Sequence, residues 1–132
     1  MTVARPKITE RDVQIGVTSF LELDGWRAIR TDPVSDRKRG KGFGELGMPD
    51  YLYVRYWTGT INQMAMKPPY ESWAQVLWIE FKAPGKKPAQ HQFDWHQAER
   101  LRGALVKVVD GFESFRRWYI DESGLNRRML LR

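Results

Sequence analysis

The chain has 132 residues, a net charge of +6 and no cysteine, and 42% of its residues are hydrophobic. The lack of cysteine excludes a disulfide framework and a thiolate metal site, and the hydrophobic content argues against global disorder. The basic balance favours contact with phosphate polyanions such as DNA, although a basic composition without a specific partner stays open as the alternative.

The length is that of one domain, and no internal repeat or low-complexity tract divides the chain. We expect a single domain over residues 1–132, with a core at about 8–120 and a basic C-terminal tail at about 121–132. No apolar run approaches the roughly 18–20 residues that span a bilayer, and the N-terminus lacks the apolar segment of a signal peptide. We therefore expect a cytoplasmic protein that makes no membrane contact.

The first two predicted elements are a helix over 9–24 and a short strand over 26–31. Thr9, with Asp12 three residues later, resembles a capping box, and Gly25 stands where a helix stops. Hydrophobic residues recur at helical spacing and form the buried stripe of this helix: Val13, Val17, Phe20 and Leu21.

Two further strands are predicted in the middle of the chain, over 50–56 and 76–83. A basic, glycine-rich loop at 32–47 precedes the first of them. Residues 57–75 contain a Thr-Gly and a Pro-Pro pair, and this favours a long connector or an extended hairpin tip between the two strands.

The last part of the chain is predicted to form a helix, a strand and a final helix. Pro88 stands where a first-turn proline would, so a helix is expected over about 88–102. A strand follows at 105–109, and the aromatic spacing at 112–119 indicates an amphipathic helix. The order α-β-β-β-α-β-α predicts an α/β (α+β) fold, with a mixed sheet flanked by helices.

Polar groups stand at the ends of the two middle strands. Asp50 begins one strand, and Glu80 and Lys82 share a face near the end of the other, because side chains alternate along a strand. If the strands are antiparallel neighbours, the two carboxylates converge and repel each other unless a cation such as Mg²⁺ or Mn²⁺ sits between them. A lysine beside the metal can orient a water and stabilise charge on a phosphorane. A surface salt bridge between Glu80 and Lys82 is the alternative.

Other candidate residues lie on the predicted helices. Glu10 continues the apolar stripe of the first helix, with Gln14 on the same side, although a first-turn carboxylate favoured by the helix dipole is the alternative. Gln92 lies near the start of the second helix, where an ordinary solvated residue is the alternative. His91 and His96 are five residues apart, a spacing that makes a chelating pair on a helix unfavourable. His96, next to Trp95, is expected to be structural, with contact to DNA as the alternative.

Taken in order, these residues resemble a VRR-NUC domain, the virus-type replication-repair nuclease branch of the PD-(D/E)XK superfamily. The segment 47–50, Gly-Met-Pro-Asp, resembles the family's Gly-hydrophobic-Pro-Asp motif. The segment 79–84, Ile-Glu-Phe-Lys-Ala-Pro, resembles its Glu-hydrophobic-Lys motif, and Gln92 matches the glutamine of the following helix. The resemblance runs from about residue 8 to 115, with Glu10 in the first helix. It implies a restriction-endonuclease-like αβββαβ core.

The resemblance also implies Mg²⁺- or Mn²⁺-dependent cleavage of DNA. Short members of the family are typically bacterial or viral and resemble Holliday-junction resolvases, so a homodimer acting on branched DNA is expected. Flap or end processing in DNA replication or repair is a second possibility, and a non-catalytic DNA-binding module is a third. The implied roles are metal ligation by Asp50, Glu80, the backbone carbonyl of Phe81 and an outer or second-metal Glu10, water positioning by Lys82, and hydrogen-bonding support by Gln92.

Basic residues are the candidate phosphate contacts, with a flexible, solvated charge run as the alternative. They are Arg37, Lys38, Arg39 and Lys41 in the glycine-rich loop, Lys86 and Lys87 after the Glu-hydrophobic-Lys strand, and the arginines of the tail, Arg127, Arg128 and Arg132. The connector at 57–75 is longer than in minimal members, and its Trp57, Tyr70 and Trp73 could extend a dimer interface, touch a DNA branch or form a packed surface excursion.

Overall fold

The structure is a computed structural model that describes residues 6–31, 44–58 and 72–126. Within these ranges the chain forms three helices and four strands in the predicted order. The elements are α1 (Glu10–Leu23), β1 (Arg27–Arg30), β2 (Tyr51–Thr58), β3 (Ser72–Phe81), α2 (Gln90–Leu101), β4 (Leu105–Val109) and α3 (Phe112–Asp121). No helix in the described part of the chain is both long and apolar enough to cross a membrane.

The four strands form one mixed sheet in the order β1-β2-β3-β4. Neighbours among the first three strands are antiparallel, whereas β3 and β4 are parallel and are joined through α2. A parallel pair needs such a crossover, because the chain must return to the same end of the sheet. The predicted fold class is therefore confirmed.

The hydrophobic core lies on one face of this sheet, beneath α1 and α3. The predicted stripe of α1 is buried at Val13, Val17 and Leu21, while Phe20 is partly buried against the core and contacts three aromatic rings of α3 edge-on. The odd-numbered residues of β2 and β3 form the sheet side of this core: Tyr53, Leu77, Ile79 and Phe81. The even-numbered residues of both strands consequently point to the opposite face.

The capping predicted for α1 is confirmed, whereas the predicted start of α2 is wrong. Thr9 and Asp12 form the predicted capping box, and Gly25, at φ +92°, follows the end of α1. The start of α2 was predicted incorrectly: the helix begins at Gln90 with Ala89 as its N-cap, so Pro88 lies outside the first turn. An internal cap explains the shift, because the Gln92 side chain accepts a hydrogen bond from the Ala89 N–H at 2.8 Å.

The bounds of the segment 57–75, predicted as a long connector or an extended hairpin tip, are wrong at both ends, because its first and last residues belong to an extended hairpin. Strand β2 continues to Thr58 and β3 already begins at Ser72, with Trp57 opposite Trp73 in the register. Antiparallel pairing therefore extends the hairpin beyond the predicted strand ends at 56 and 76. Tyr70, the loop residues Arg37, Lys38, Arg39 and Lys41, and the tail arginines lie outside the described residues.

A buried ion pair lies on the core face, away from the ends of the strands that carry Asp50 and Glu80. Arg55, which is 2% exposed, binds the Asp24 carboxylate at 3.0 Å and lies 4.4 Å from the centre of the Trp26 ring. Its remaining N–H groups reach the carbonyl of Leu125 at 2.6 Å and the Gln75 side chain at 2.9 Å. This network ties the end of α1 to the middle of the sheet and to the chain after α3.

Candidate functional site

Asp50 and Glu80 lie side by side at one end of the sheet, on the face away from the core. Tyr51 pairs with Ile79 in the antiparallel register, so the preceding Asp50 falls beside Glu80. Glu80 is 1% exposed and Asp50 is half-buried. The antiparallel pairing on which the sequence prediction depended is therefore present.

Lys82 and Gln92 both contact the Glu80 carboxylate. The Lys82 Nζ lies 3.3 Å from Glu80 Oε1, and its side chain is 19% exposed. The Gln92 Nε2 donates to the same oxygen at 2.5 Å, while the Gln92 Oε1 accepts from the backbone of Ala89. Gln92 thus holds Glu80 and caps α2 with one side chain, and the sequence alternative of a solvated helix residue does not apply.

Burial makes both carboxyl groups hard to ionise, and repulsion by Asp50 adds to the effect at Glu80. Burial raises the pKa of Glu80 from its ordinary value of 4.5 to about 7, the charge of Asp50 adds to this shift, and Lys82 opposes it. Burial also raises the pKa of Asp50, against the opposing charges of Lys82 and Arg30. A cation between the two carboxylates would relieve both penalties.

The turn before Asp50 is packed against α2. Gly47 has φ +89°, and a Cβ at this position would lie 2.3 Å from the His91 carbonyl oxygen and 3.1 Å from the Cβ of Trp95. The indole N–H of Trp95 donates to Glu45 Oε2 at 2.8 Å. The glycine of the Gly-Met-Pro-Asp segment therefore permits both the backbone conformation and the close approach of the helix.

Replacing Gly47 with alanine is expected to lower the free energy of unfolding by roughly 2–4 kcal/mol, because left-handed strain adds to a backbone clash. Urea denaturation would measure the change. Gly85→Ala is the matched control, since Gly85 also has a positive φ of +80° but has no heavy atom within 4 Å of the added Cβ. Equal losses in the two variants would mean that helix contact contributes nothing at Gly47.

The backbone carbonyl of Phe81 is directed toward the same corner. The Lys82 N–H donates to Val109 in β4 at 2.9 Å, so the carbonyl of the preceding Phe81 points to the other side, toward the chain that enters β2. Because Tyr51 pairs with Ile79, the residue opposite Phe81 is Pro49. A proline has no N–H to donate. Pro49 therefore cannot continue the ladder and cap this carbonyl.

These groups fit a divalent cation of the Mg²⁺ or Mn²⁺ type. The second carboxylate oxygen of Glu80 is buried and has no hydrogen-bond partner among the described residues, which is costly without a further ligand. Two carboxylates and a carbonyl are the oxygen donors that hard cations prefer, with waters completing the shell. Over the described ranges there is no group of three His, Cys, Asp or Glu side chains that could hold a metal.

Glu10 belongs to α1, the helix that packs on the core side of the sheet. Its carboxylate is half-buried and accepts a hydrogen bond from Gln14 at 3.3 Å, the pairing expected four residues apart on a helix. The charges that shift the pKa of Asp50 are those of Lys82 and Arg30, and the charges that shift the pKa of Glu80 are those of Asp50 and Lys82. Glu10 is not among them. Its role at a metal stays a prediction.

The remaining candidates divide between exposed and buried positions. Lys86 and Lys87 are exposed in the segment that leads from β3 to α2, where a phosphate chain could reach them. His91 is exposed, whereas His96 is 1% exposed and its pKa is lowered to about 4, mainly by burial and further by the charges of Arg100 and Lys82. The sequence did not predict the hydrogen bond between Trp95 and Glu45, because the two residues are far apart in the chain. Their positions beside the recognised motifs were the available indication.

No family model and no curated protein matches this chain. Among solved structures, one described as a VRR-NUC domain matches with a TM-score of 0.57 and 23% sequence identity. The match covers 88% of this chain and 100% of that one. The chain therefore has the VRR-NUC fold that its motifs suggested.

Proposed function

We propose that this chain, which has the fold of a VRR-NUC domain, is a nuclease that hydrolyses phosphodiester bonds in DNA with Mg²⁺ or Mn²⁺ held by Asp50 and Glu80. The observation that carries the proposal is the buried Glu80 carboxylate, which lies beside Asp50 and has one oxygen without a partner among the described residues. A buried carboxyl with a strongly raised pKa costs stability, and such sites are typical of ligand binding or catalysis.

The surrounding side chains supply the positioning that hydrolysis needs. A bound Mg²⁺ or Mn²⁺ would polarise a phosphoryl oxygen and lower the pKa of a bound water. Lys82, anchored on Glu80 at 3.3 Å but still partly exposed, would orient the attacking water and stabilise negative charge that develops on the phosphorane. Gln92 would keep the Glu80 carboxylate in one orientation through its hydrogen bond.

We further propose branched DNA as the substrate and a homodimer as the active form. The net charge of +6 and the exposed Lys86 and Lys87 support contact with phosphates. Contacts of this kind read the shape and backbone of DNA and not its base sequence. A two-fold symmetric dimer would present two sites to paired strands of a four-way junction and produce symmetric nicks.

The test is cleavage of a four-way junction, a flap and a linear duplex in the presence and absence of Mg²⁺ or Mn²⁺. Wild type is expected to cut the junction, and Asp50→Asn is expected to lose at least about a thousandfold in rate, because a metal ligand that also aligns the reacting groups is removed. Glu113→Gln, at an exposed carboxylate on α3, is the matched control and should cut like wild type.

Each outcome bears on a different level of the proposal. If neither metal supports cutting of any of the three DNAs, the chain is not a nuclease, and retained binding of those DNAs would favour a non-catalytic binding module. Cutting of the flap without cutting of the junction would replace the resolvase role by flap processing. Light scattering in solution would test the homodimer, and a monomer that still nicks junctions symmetrically would contradict the dimeric mechanism.

A further inference from the structure

Helix α2 contacts both halves of the candidate metal site. Its Gln92 holds Glu80, and three residues later its Trp95 contacts the turn that leads into Asp50. Residues three apart lie on neighbouring parts of one helix face, so the two contacts reach the same corner of the sheet. Helix α2 therefore supports the positions of both Glu80 and Asp50.

The contact made by Trp95 is directional as well as apolar. Its ring packs edge-on against Trp78 of β3, with 5.0 Å between ring centres, and this fixes the side chain between helix and sheet. Its indole N–H then reaches outward to Glu45 Oε2 at 2.8 Å. Glu45 is exposed, so solvation alone would satisfy its carboxylate, and the bond adds a connection between helix and turn.

Among the described residues the turn carries few hydrogen bonds of its own, so a connection to α2 adds to its support. Residues 44–50 precede the strand, and within them the Met48 N–H donates to the Glu45 carbonyl at 3.1 Å. On the far side, Thr31 holds the end of the segment through the carbonyls of Pro49 and Asp50. Glu45 and Gly47 are the points at which the segment is held against α2.

We propose that Trp95 is a positioning residue that fixes Asp50 relative to Glu80 by holding Glu45, and with it the turn at 45–48, against α2. The proposal deepens the proposed function and rests on it for the metal, since two ligands on different strands must keep a constant separation to bind one cation. Trp95 touches neither substrate nor metal in this role. We call the hydrogen bond from Trp95 to Glu45 the latch. It is present without a metal, so it can be tested in the metal-free protein.

The experiment compares Trp95→Phe, Glu45→Ala and the double variant with wild type. Phenylalanine keeps an aromatic ring against Trp78 but removes the N–H donor. Each single variant is expected to weaken Mn²⁺ binding about tenfold, at the low end of the cost of losing an outer-shell partner. Each should also speed exchange of the Met48 amide, which donates to the Glu45 carbonyl, by about the same factor in the metal-free protein.

Two features of the result separate positioning from simple packing. The double variant should be no worse than the worse single variant, because both substitutions remove the same bond. Glu45→Gln should keep most of the affinity, since its amide oxygen still accepts from the indole N–H, and Glu113→Ala should behave like wild type.

The inference is overturned if Trp95→Phe lowers the melting temperature while Mn²⁺ affinity and exchange of the Met48 amide stay within twofold of wild type. It is also overturned if Glu45→Ala has no effect where Trp95→Phe has a large one, because Trp95 would then act only through packing. If wild type itself fails to bind Mn²⁺, the proposed function falls, but amide exchange in the metal-free protein still decides whether the latch exists.

Discussion

Replacing Glu80 with glutamine is expected to raise the free energy of unfolding by up to about 3 kcal/mol at pH 8 and to abolish the proposed metal-dependent cleavage. Glutamine keeps the oxygen that accepts from Gln92 but removes a charge that is 1% exposed and repelled by Asp50. Stability gained at the expense of activity is the signature of a site selected for chemistry.

The gain depends on pH with a definite sign. The pKa of Glu80 is about 7 in the folded protein and close to 4.5 when the chain is unfolded, so between these values the folded state binds more protons. Stability from this group is therefore greatest below pH 4.5 and falls as the pH rises to 7. His96 acts in the opposite direction, because its lowered pKa of about 4 makes stability rise with pH up to about 6.5.

These two slopes offset each other in wild type between about pH 4.5 and 6.5, so the difference between variant and wild type is the quantity to measure. Urea denaturation from pH 4 to 8 should show the advantage of Glu80→Gln growing with pH and levelling above pH 7. Glu113→Gln provides the control for an exposed carboxylate. A constant or negative difference across this range would show that Glu80 is not buried as an ionisable group.

Removing Asp24 is expected to cost about 3–5 kcal/mol of stability, because it leaves the Arg55 charge buried with only neutral acceptors. Tyr119 would also lose the carboxylate to which its hydroxyl donates, and burial with this bond already raises its pKa to about 12. Urea denaturation of Asp24→Ala measures the loss, and Asp121→Ala, an exposed position on α3, is the control.

The double variant Asp24→Leu with Arg55→Met tests the cause of that loss. Replacing both charges by apolar groups of similar size should recover most of the stability, since the penalty arises from an unpaired charge and not from the absence of a bond. A double variant as unstable as Asp24→Ala would instead assign the loss to the hydrogen-bond network that joins α1, the sheet and residues 122–126.

The face pattern of the sheet was predictable because it depends on local periodicity. Alternation placed Leu77, Ile79 and Phe81 together, and helical spacing placed Val13 and Val17 on one stripe, and all five are buried. The order of elements, the capping box of α1 and the convergence of Asp50 with Glu80 followed from the same local rules and one assumption about strand pairing.

Features set by distant contacts could not be read from the sequence. Arg55 lies on the same face of β2 as Tyr53, and alternation alone predicts apolar residues on that face. The burial of Arg55 is explained by its ion pair with Asp24, which lies 31 residues earlier. The bond between Glu45 and Trp95 spans 50 residues and has no sequence pattern. The longer hairpin at Trp57 and Trp73 depends on cross-strand pairing, which the sequence of each strand alone does not show.

Pro49 has no N–H to offer the backbone carbonyl of Phe81. Every other amino acid at this position would offer an N–H toward the Phe81 carbonyl and would allow the β2–β3 ladder to close by one further rung. The closed ladder would occupy one of the two lone pairs of the Phe81 carbonyl and reduce what the proposed cation could use. The proline therefore marks the point at which the β2–β3 ladder ends, and under the proposed function the carbonyl left there would serve the metal.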